Sequence, residues 1–285
     1  MIHTTLIDAA SVAKLTGRPD VAVLDCRFDL ATPSAGRRGY ERAHIPGARY
    51  ADLNLDLSGS VGAATGRHPL PDPSAFALRL ERLGIGDETQ IIAYDAGNGA
   101  FAARLWWLAR WVGHPHVAVL DGGFAAWTAL GLATQSGDAP EMPQPKLAIT
   151  ARVIPDAWLT SEQVVAALED RRRLLVDARA PERFDGTVEP LDSVAGHVPA
   201  AVNFPFVRNL GPDGRFLAAA ELRRLWLRFL GAIDASNVIA MCGSGVTACH
   251  NLLALEAAGL PGAKLYAGSW SEWIRDPARA VATGS

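Results

Sequence analysis

The chain is written twice. Val23-Leu24-Asp25-Cys26-Arg27 reads against Leu175-Val176-Asp177-Ala178-Arg179 at an offset of 152. His44-Ile45-Pro46-Gly47-Ala48 returns as His197-Val198-Pro199-Ala200-Ala201 at an offset of 153. Leu83-Gly84-Ile85 returns as Leu230-Gly231-Ala232-Ile233, and Ile92-Ala93-Tyr94-Asp95 as Ile239-Ala240-Met241-Cys242, both at 147. The last correspondence sets Gly122 to Trp127 against Gly268 to Trp273 at 146. Five matches in one order make the chain a tandem duplication of a unit of roughly 130 residues, and each copy must bury its own core. The length of 285 residues agrees, since domains run to about 150 residues each. The expected division is a first domain over 1–134, a linker over 135–146 and a second domain over 147–285. The linker holds three prolines and no apolar periodicity.

Within each copy, short apolar runs alternate with amphipathic stretches. VAVLD, QIIAYD and HVAVLDGG read as buried strands in the first, and RRLLVDAR, NVIAMC and AKLYAGS in the second. SAFALRLERLG, AFAARLWWLARWVG, ELRRLWLRFLG and VTACHNLLALEAAG have helical spacing. Phe101, Leu105, Leu108 and Val112, for instance, share one face. Strand–helix alternation predicts an α/β fold, a parallel sheet flanked by helices, formed twice. Trp106, Trp107, Trp111 and Trp226 on the predicted helices, and Trp127, Trp270 and Trp273 near the ends of the units, read as packing residues.

Composition excludes several functions. With 27 Lys+Arg against 30 Asp+Glu, the net charge of −3 offers no footprint for nucleic acid or an anionic membrane. No uninterrupted apolar stretch of about 18 residues predicts a membrane span, and no secretory leader pattern opens the chain. Three cysteines do not make a disulfide framework; they read as reduced thiols, and the expected location is cytoplasmic. No metal constellation or nucleotide motif stands out, so no cofactor is expected.

The copies diverge in chemistry at Asp95/Cys242. The predicted strand NVIAM runs into Cys242-Gly243-Ser244-Gly245-Val246-Thr247-Ala248, and a helix begins there. Glycines let backbone amides turn inward as a cradle, and a helix N-terminus adds partial positive charge. Both favour a thiolate or an anion carried on that sulfur, and Ser244 and Thr247 add hydroxyls. A cysteine phosphatase needs an arginine six positions after the nucleophile to hold phosphate; here that position is Ala248. A persulfide is a smaller anion that amides alone can stabilise. The first copy is longer by about six residues between His44 and Asp95, within the Ser- and Gly-rich stretch from Asp52 to Pro71. Its turn formers mark a loop, a candidate lid or partner for a site in the other copy.

The tandem units, the DAR…RFDG…GHVPAAVN run, the CGSGVTA loop and the closing GSWSEW resemble the two-domain rhodanese family of sulfurtransferases over essentially the whole chain. The loop resembles that of the 3-mercaptopyruvate branch. Thiosulfate sulfurtransferases more often carry basic residues at the second and third loop positions, where this chain has Gly243 and Ser244. The resemblance implies that Cys242 takes sulfur from a donor as a persulfide and passes it to a thiol, thioredoxin or cyanide. Gly243, Gly245, Val246 and Thr247 would cradle the bound groups. The first copy would be catalytically silent, since a carboxylate cannot carry sulfane sulfur. Arg183 matches the family's substrate-carboxylate arginine. Ser244 matches a serine in a Ser–His–acid relay whose histidine would be His68. The family's acid position falls on Asn54, which cannot act as one, and Asp56 is the nearest carboxylate. A second branch arginine is missing, because Glu189-Pro190 is followed by Leu191 and Asp192. 3-Mercaptopyruvate is the expected donor, with thiosulfate the close alternative and a non-catalytic redox or docking module a further one. His44 and His197, common to both copies, and Arg179 read as structural, as do Cys26 and Cys249. Cys249 could otherwise resolve an oxidised Cys242.

Overall fold

The computed structural model describes residues 2–138, 149–169 and 173–284; most of the expected linker, 139–146, lies outside the described residues. The chain folds into two compact units, and the division is not a single cut. Met1–Gly59, Pro71–Ile154 and Pro212–Phe216 form the first, and Ser60–Leu70, Pro155–Gly211 and Leu217–Ser285 the second.

The first unit runs β1 (Leu6–Ile7), α1 (Ala9–Leu15), β2 (Val21–Asp25), α2 (Ser34–Arg42), β3 (Arg49–Tyr50), α3 (Pro73–Arg82), β4 (Gln90–Tyr94), α4 (Ala102–Trp111), β5 (Val117–Leu120) and α5 (Gly123–Ala129). The second repeats the plan: β6 (Trp158–Leu159), α6 (Ser161–Glu169), β7 (Leu174–Asp177), α7 (Pro181–Asp185), β8 (Val202–Asn203), α8 (Ala219–Leu230), β9 (Val238–Met241), α9 (Thr247–Ala257), β10 (Lys264–Tyr266) and α10 (Ser269–Trp273). Each unit holds a five-stranded sheet, in the orders β1-β5-β4-β2-β3 and β6-β10-β9-β7-β8, and every pairing is parallel. The central strands are the apolar runs legible in the sequence. The edge strands β1, β3, β6 and β8 have two residues each, too few to carry a pattern.

Chemistry in such sheets gathers at the carboxyl ends of the strands. Two inner strands end there in equivalent loops, β4 in Asp95 and β9 in Cys242. Behind Cys242, α9 is buried from Ala248 to Leu255, as a helix apolar on most sides must be. Its two buried polar residues include Asn251, which donates to the Phe204 carbonyl at 3.0 Å and accepts from Asn209 at 2.7 Å. Asn209 in turn accepts the indole N–H of Trp226 at 2.9 Å, and that ring stacks on Phe204 with centroids 4.0 Å apart. This network fixes the helix that carries the loop. Trp226→Ala opens a cavity and leaves Asn209 short of a donor. We expect a loss of about 3–5 kcal/mol, read from the urea midpoint.

Candidate active site

The loop after β9 is held from outside. The Cys242 and Gly243 carbonyls accept the N–H groups of Trp270 and Ser271 at 3.0 and 2.9 Å. The Cys242 N–H donates to Ser269 Oγ at 3.0 Å, and that hydroxyl donates to the Tyr266 carbonyl. In a trans peptide the C=O and N–H point opposite ways. Pinning these two carbonyls onto α10 therefore turns the Gly243 and Ser244 N–H groups to the other side. Gly245 has φ +76°, and a Cβ there would lie 2.4 Å from the Ala267 carbonyl oxygen, so the bend requires glycine.

The first unit shows what such a loop holds. The Asp95 and Ala96 carbonyls accept from Phe124 and Ala125 of α5 at 2.8 and 3.1 Å, the same pinning. On the other side, the Asp95 carboxylate accepts from Gly97 and Gly99 at 3.0 Å each, from Phe101 at 2.9 Å and from Ala102 at 3.3 Å. The cradle is filled by the unit's own carboxylate. Burial pushes that carboxyl above the usual range while the four amides pull it down. At the offset of 147, the amides of Ser244, Val246 and Ala248 correspond to three of these donors. None of the three donates to a protein acceptor among the described residues. Cys242, 2% exposed, puts one sulfur where Asp95 puts a carboxylate.

Around this loop the second unit gathers residues from its 60–70 segment. Gly66 packs on α10, where a Cβ would meet the Gly268 carbonyl at 2.6 Å, and the Arg67 N–H donates to Ser271 Oγ at 3.0 Å. That docking presents two side chains. His68, 4% exposed, places Nδ1 2.7 Å from Ser244 Oγ. Arg67 places Nη2 2.9 Å from a Cβ built on Gly243, and both Arg183 Nη atoms lie 3.4 Å from it. Two guanidiniums thus flank the residue next to Cys242. Arg183 donates to both oxygens of Glu189, at 2.8 and 3.1 Å, and to Asp192 at 3.1 Å; Arg67 pairs with the other Asp192 oxygen. Arg67 Nη2 and Arg183 Nη1 donate to no protein acceptor among the described residues.

The sequence singled out Cys242, Gly243, Ser244, Gly245, Val246, Thr247, Arg183 and His68, and all eight lie in this one unit. Asp56 belongs to the first unit, where its carboxylate accepts the Asp52 N–H at 2.8 Å and burial raises its carboxyl. The sequence singled out one arginine, Arg183; the structure sets a second guanidinium, that of Arg67, beside it at Gly243. Its signal was its place beside His68. Arg179 is occupied elsewhere: it is bonded to Asp177 and to the Gly196 carbonyl at 2.8 Å, as Arg27 is to Asp25 and the Ala43 carbonyl. His197 stacks on Phe184 and bonds its carbonyl as His44 does with Tyr40. Both pairs brace the two copies alike. Cys249 is buried, with its thiol 3.3 Å from the Gly245 carbonyl, and Cys26 is buried, its thiol pushed well up by desolvation and nearby carboxylates.

A model of the rhodanese-like domain matches residues 8–130 and again 160–276. The chain belongs to the rhodanese family. Among its relatives, a Pseudomonas aeruginosa protein named "Probable 3-mercaptopyruvate sulfurtransferase" is 49% identical over 288 residues, all of both chains. A thiosulfate sulfurtransferase of Rattus norvegicus is 36% identical over 90% of this chain and 86% of its own. The structure titled "3-mercaptopyruvate sulfurtransferase from Leishmania major" superposes with a TM-score of 0.83 at 30% identity, over 96% of this chain and 76% of that one.

Asp95→Ala removes the acceptor of four amides at once. With roughly 1–3 kcal/mol for each buried donor left unmade, we expect a loss of at least about 3 kcal/mol by chemical denaturation. Asp95→Asn, which keeps one oxygen, loses less.

Proposed function

We propose that the chain is a sulfurtransferase that moves sulfane sulfur from 3-mercaptopyruvate, through a Cys242 persulfide, to a thiol such as thioredoxin or to cyanide. The observation that carries this reading is the geometry at Gly243: a cysteine at the head of an amide-lined loop, two guanidiniums beside it and a Ser244–His68 hydrogen bond. The Cys242 thiolate attacks the donor sulfur. The new S–S bond forms as the donor's C–S bond breaks, and that electron pair leaves on carbon as the enolate of pyruvate. The amides of Ser244, Val246 and Ala248 face the negative outer sulfur. The free Arg67 and Arg183 N–H groups take the donor carboxylate. Ser244 and His68 pass a proton to the leaving carbon. Cyanide or a thiolate then removes the outer sulfur and restores the Cys242 thiolate.

Thiosulfate is the second reading, because guanidiniums hold a sulfonate as readily as a carboxylate. Sulfite leaves without needing a proton on carbon, so the Ser244–His68 pair favours mercaptopyruvate. The first unit, with Asp95 in its own cradle, carries no nucleophile and is assigned as silent. The three buried cysteines are free thiols, and the persulfide cycle needs Cys242 reduced. A cytoplasmic setting fits both. Among the described residues no helix is long and apolar enough to cross a membrane.

Cys242→Ser is expected to abolish transfer with the fold intact by circular dichroism; wild-type turnover in that variant would sink the mechanism. Wild-type protein incubated with donor and desalted should gain the mass of one sulfur, lost on adding cyanide. Comparing kcat/KM for mercaptopyruvate and thiosulfate with one acceptor decides between the donors. Arg183→Ala should raise KM for mercaptopyruvate by about tenfold or more, as a lost charged hydrogen bond would.

A further inference from the structure

Both guanidiniums beside Gly243 lean on carboxylates, and Asp192 is the one they share. Its side chain is 5% exposed and sits on a turn organised by Glu189, whose Oε1 accepts the N–H groups of Leu191 and Asp192 at 3.0 and 3.1 Å. One Asp192 oxygen pairs with Arg67 and the other with Arg183. The arginines arrive from distant parts of the chain, and this one side chain bridges them. Counting Glu189, the two positive charges next to the loop face two negative ones, so a bound anion meets directed N–H donors with little net positive field.

We propose that Asp192 is the specificity-determining residue of this anion clamp. It holds Arg67 and Arg183 side by side at Gly243, and by cancelling part of their charge it favours a singly charged carboxylate donor over doubly charged thiosulfate. The inference rests on the sulfur-transfer reading above and adds its substrate selection. A fixed negative charge repels a dianion about twice as strongly as a monoanion at the same place. Hydrogen-bond geometry helps a planar carboxylate as long as both guanidiniums stay aligned. Asp192 works through the arginines, so it is a positioning residue. Charge and position can be separated in part: asparagine loses the charge and keeps one accepting oxygen for Arg67, while Glu189 still holds Arg183.

The test is steady-state kinetics of D192N and D192A with both donors and cyanide as acceptor. D192N is expected to lower KM for thiosulfate by about tenfold and for mercaptopyruvate by about threefold, the charge counting twice in the first case. The change is expected mainly in KM, with kcat for mercaptopyruvate moving less than KM. D192A, which also releases Arg67, is expected to raise KM for mercaptopyruvate. A thiosulfate-to-mercaptopyruvate KM ratio in D192N equal to that of the wild type would overturn the proposal, as would the same rise in KM in both variants. Should D192N lose its circular dichroism signal, the thiosulfate-to-mercaptopyruvate KM ratio is read in D192A, which removes the same charge. If the wild type forms no Cys242 persulfide from either donor, the activity reading fails; if it forms one and the ratio does not move, only the role of Asp192 fails.

Discussion

Two hydrogen bonds orient everything else in the site: those from the Trp270 and Ser271 amides to the Cys242 and Gly243 carbonyls. A peptide group is a rigid dipole, and fixing its oxygen fixes its hydrogen. Were these two peptides flipped, the loop would present carbonyl oxygens to the sulfur and repel any anion carried there. Gly245 can make the bend because it has no Cβ to strike Ala267. The same pair of bonds serves Asp95 and Ala96 in the first unit. The device therefore belongs to the fold, and the single side chain at its head decides its use.

The charges around the site are arranged for position more than for field strength. Arg67 and Arg183 are partly exposed, whereas Glu189 and Asp192 are buried beneath them. Buried carboxylates are costly to desolvate, and they persist here because each meets a guanidinium. Burial raises the Asp192 carboxyl against the pull of Arg67, and Arg183 keeps the Glu189 carboxyl low against its own burial. Arg179 completes the underlying layer, stacked on Trp270 at 4.9 Å from the ring centre and linked to Glu189 at 3.4 Å. That layer ties Arg183 and Arg67 to α10, the helix that grips the cysteine loop.

The parts of this architecture legible in the sequence were those carried by local pattern. The apolar runs gave the inner strands, the repeat gave the duplicated α/β plan, and Cys-Gly-Ser-Gly at a strand end gave the loop. The two-residue edge strands and the five-residue α10 were hidden, because so few residues show no periodicity. Arg67 was hidden for another reason. Nothing in Thr65-Gly66-Arg67-His68 says that Gly66 lacks a side chain so that the backbone can lie against Gly268, and only that docking brings the guanidinium to Gly243. The long loop was recognisable as an insertion by its length and composition, and its histidine as a partner of Ser244 through the family resemblance alone. Asp192 looked like the loss of a branch arginine; in space it pairs with Arg67.

The 60–70 segment leaves the first unit after Gly59 and returns at Pro71, and all that it contacts in this site comes from the second half of the chain. The two halves of the sequence are therefore not two interchangeable cassettes. A gene cut in the linker would yield a C-terminal product with Cys242 and its loop but without His68 and Arg67. The duplication is no longer symmetric: the first half of the sequence holds, between its third strand and third helix, residues that pack against the cysteine loop of the second.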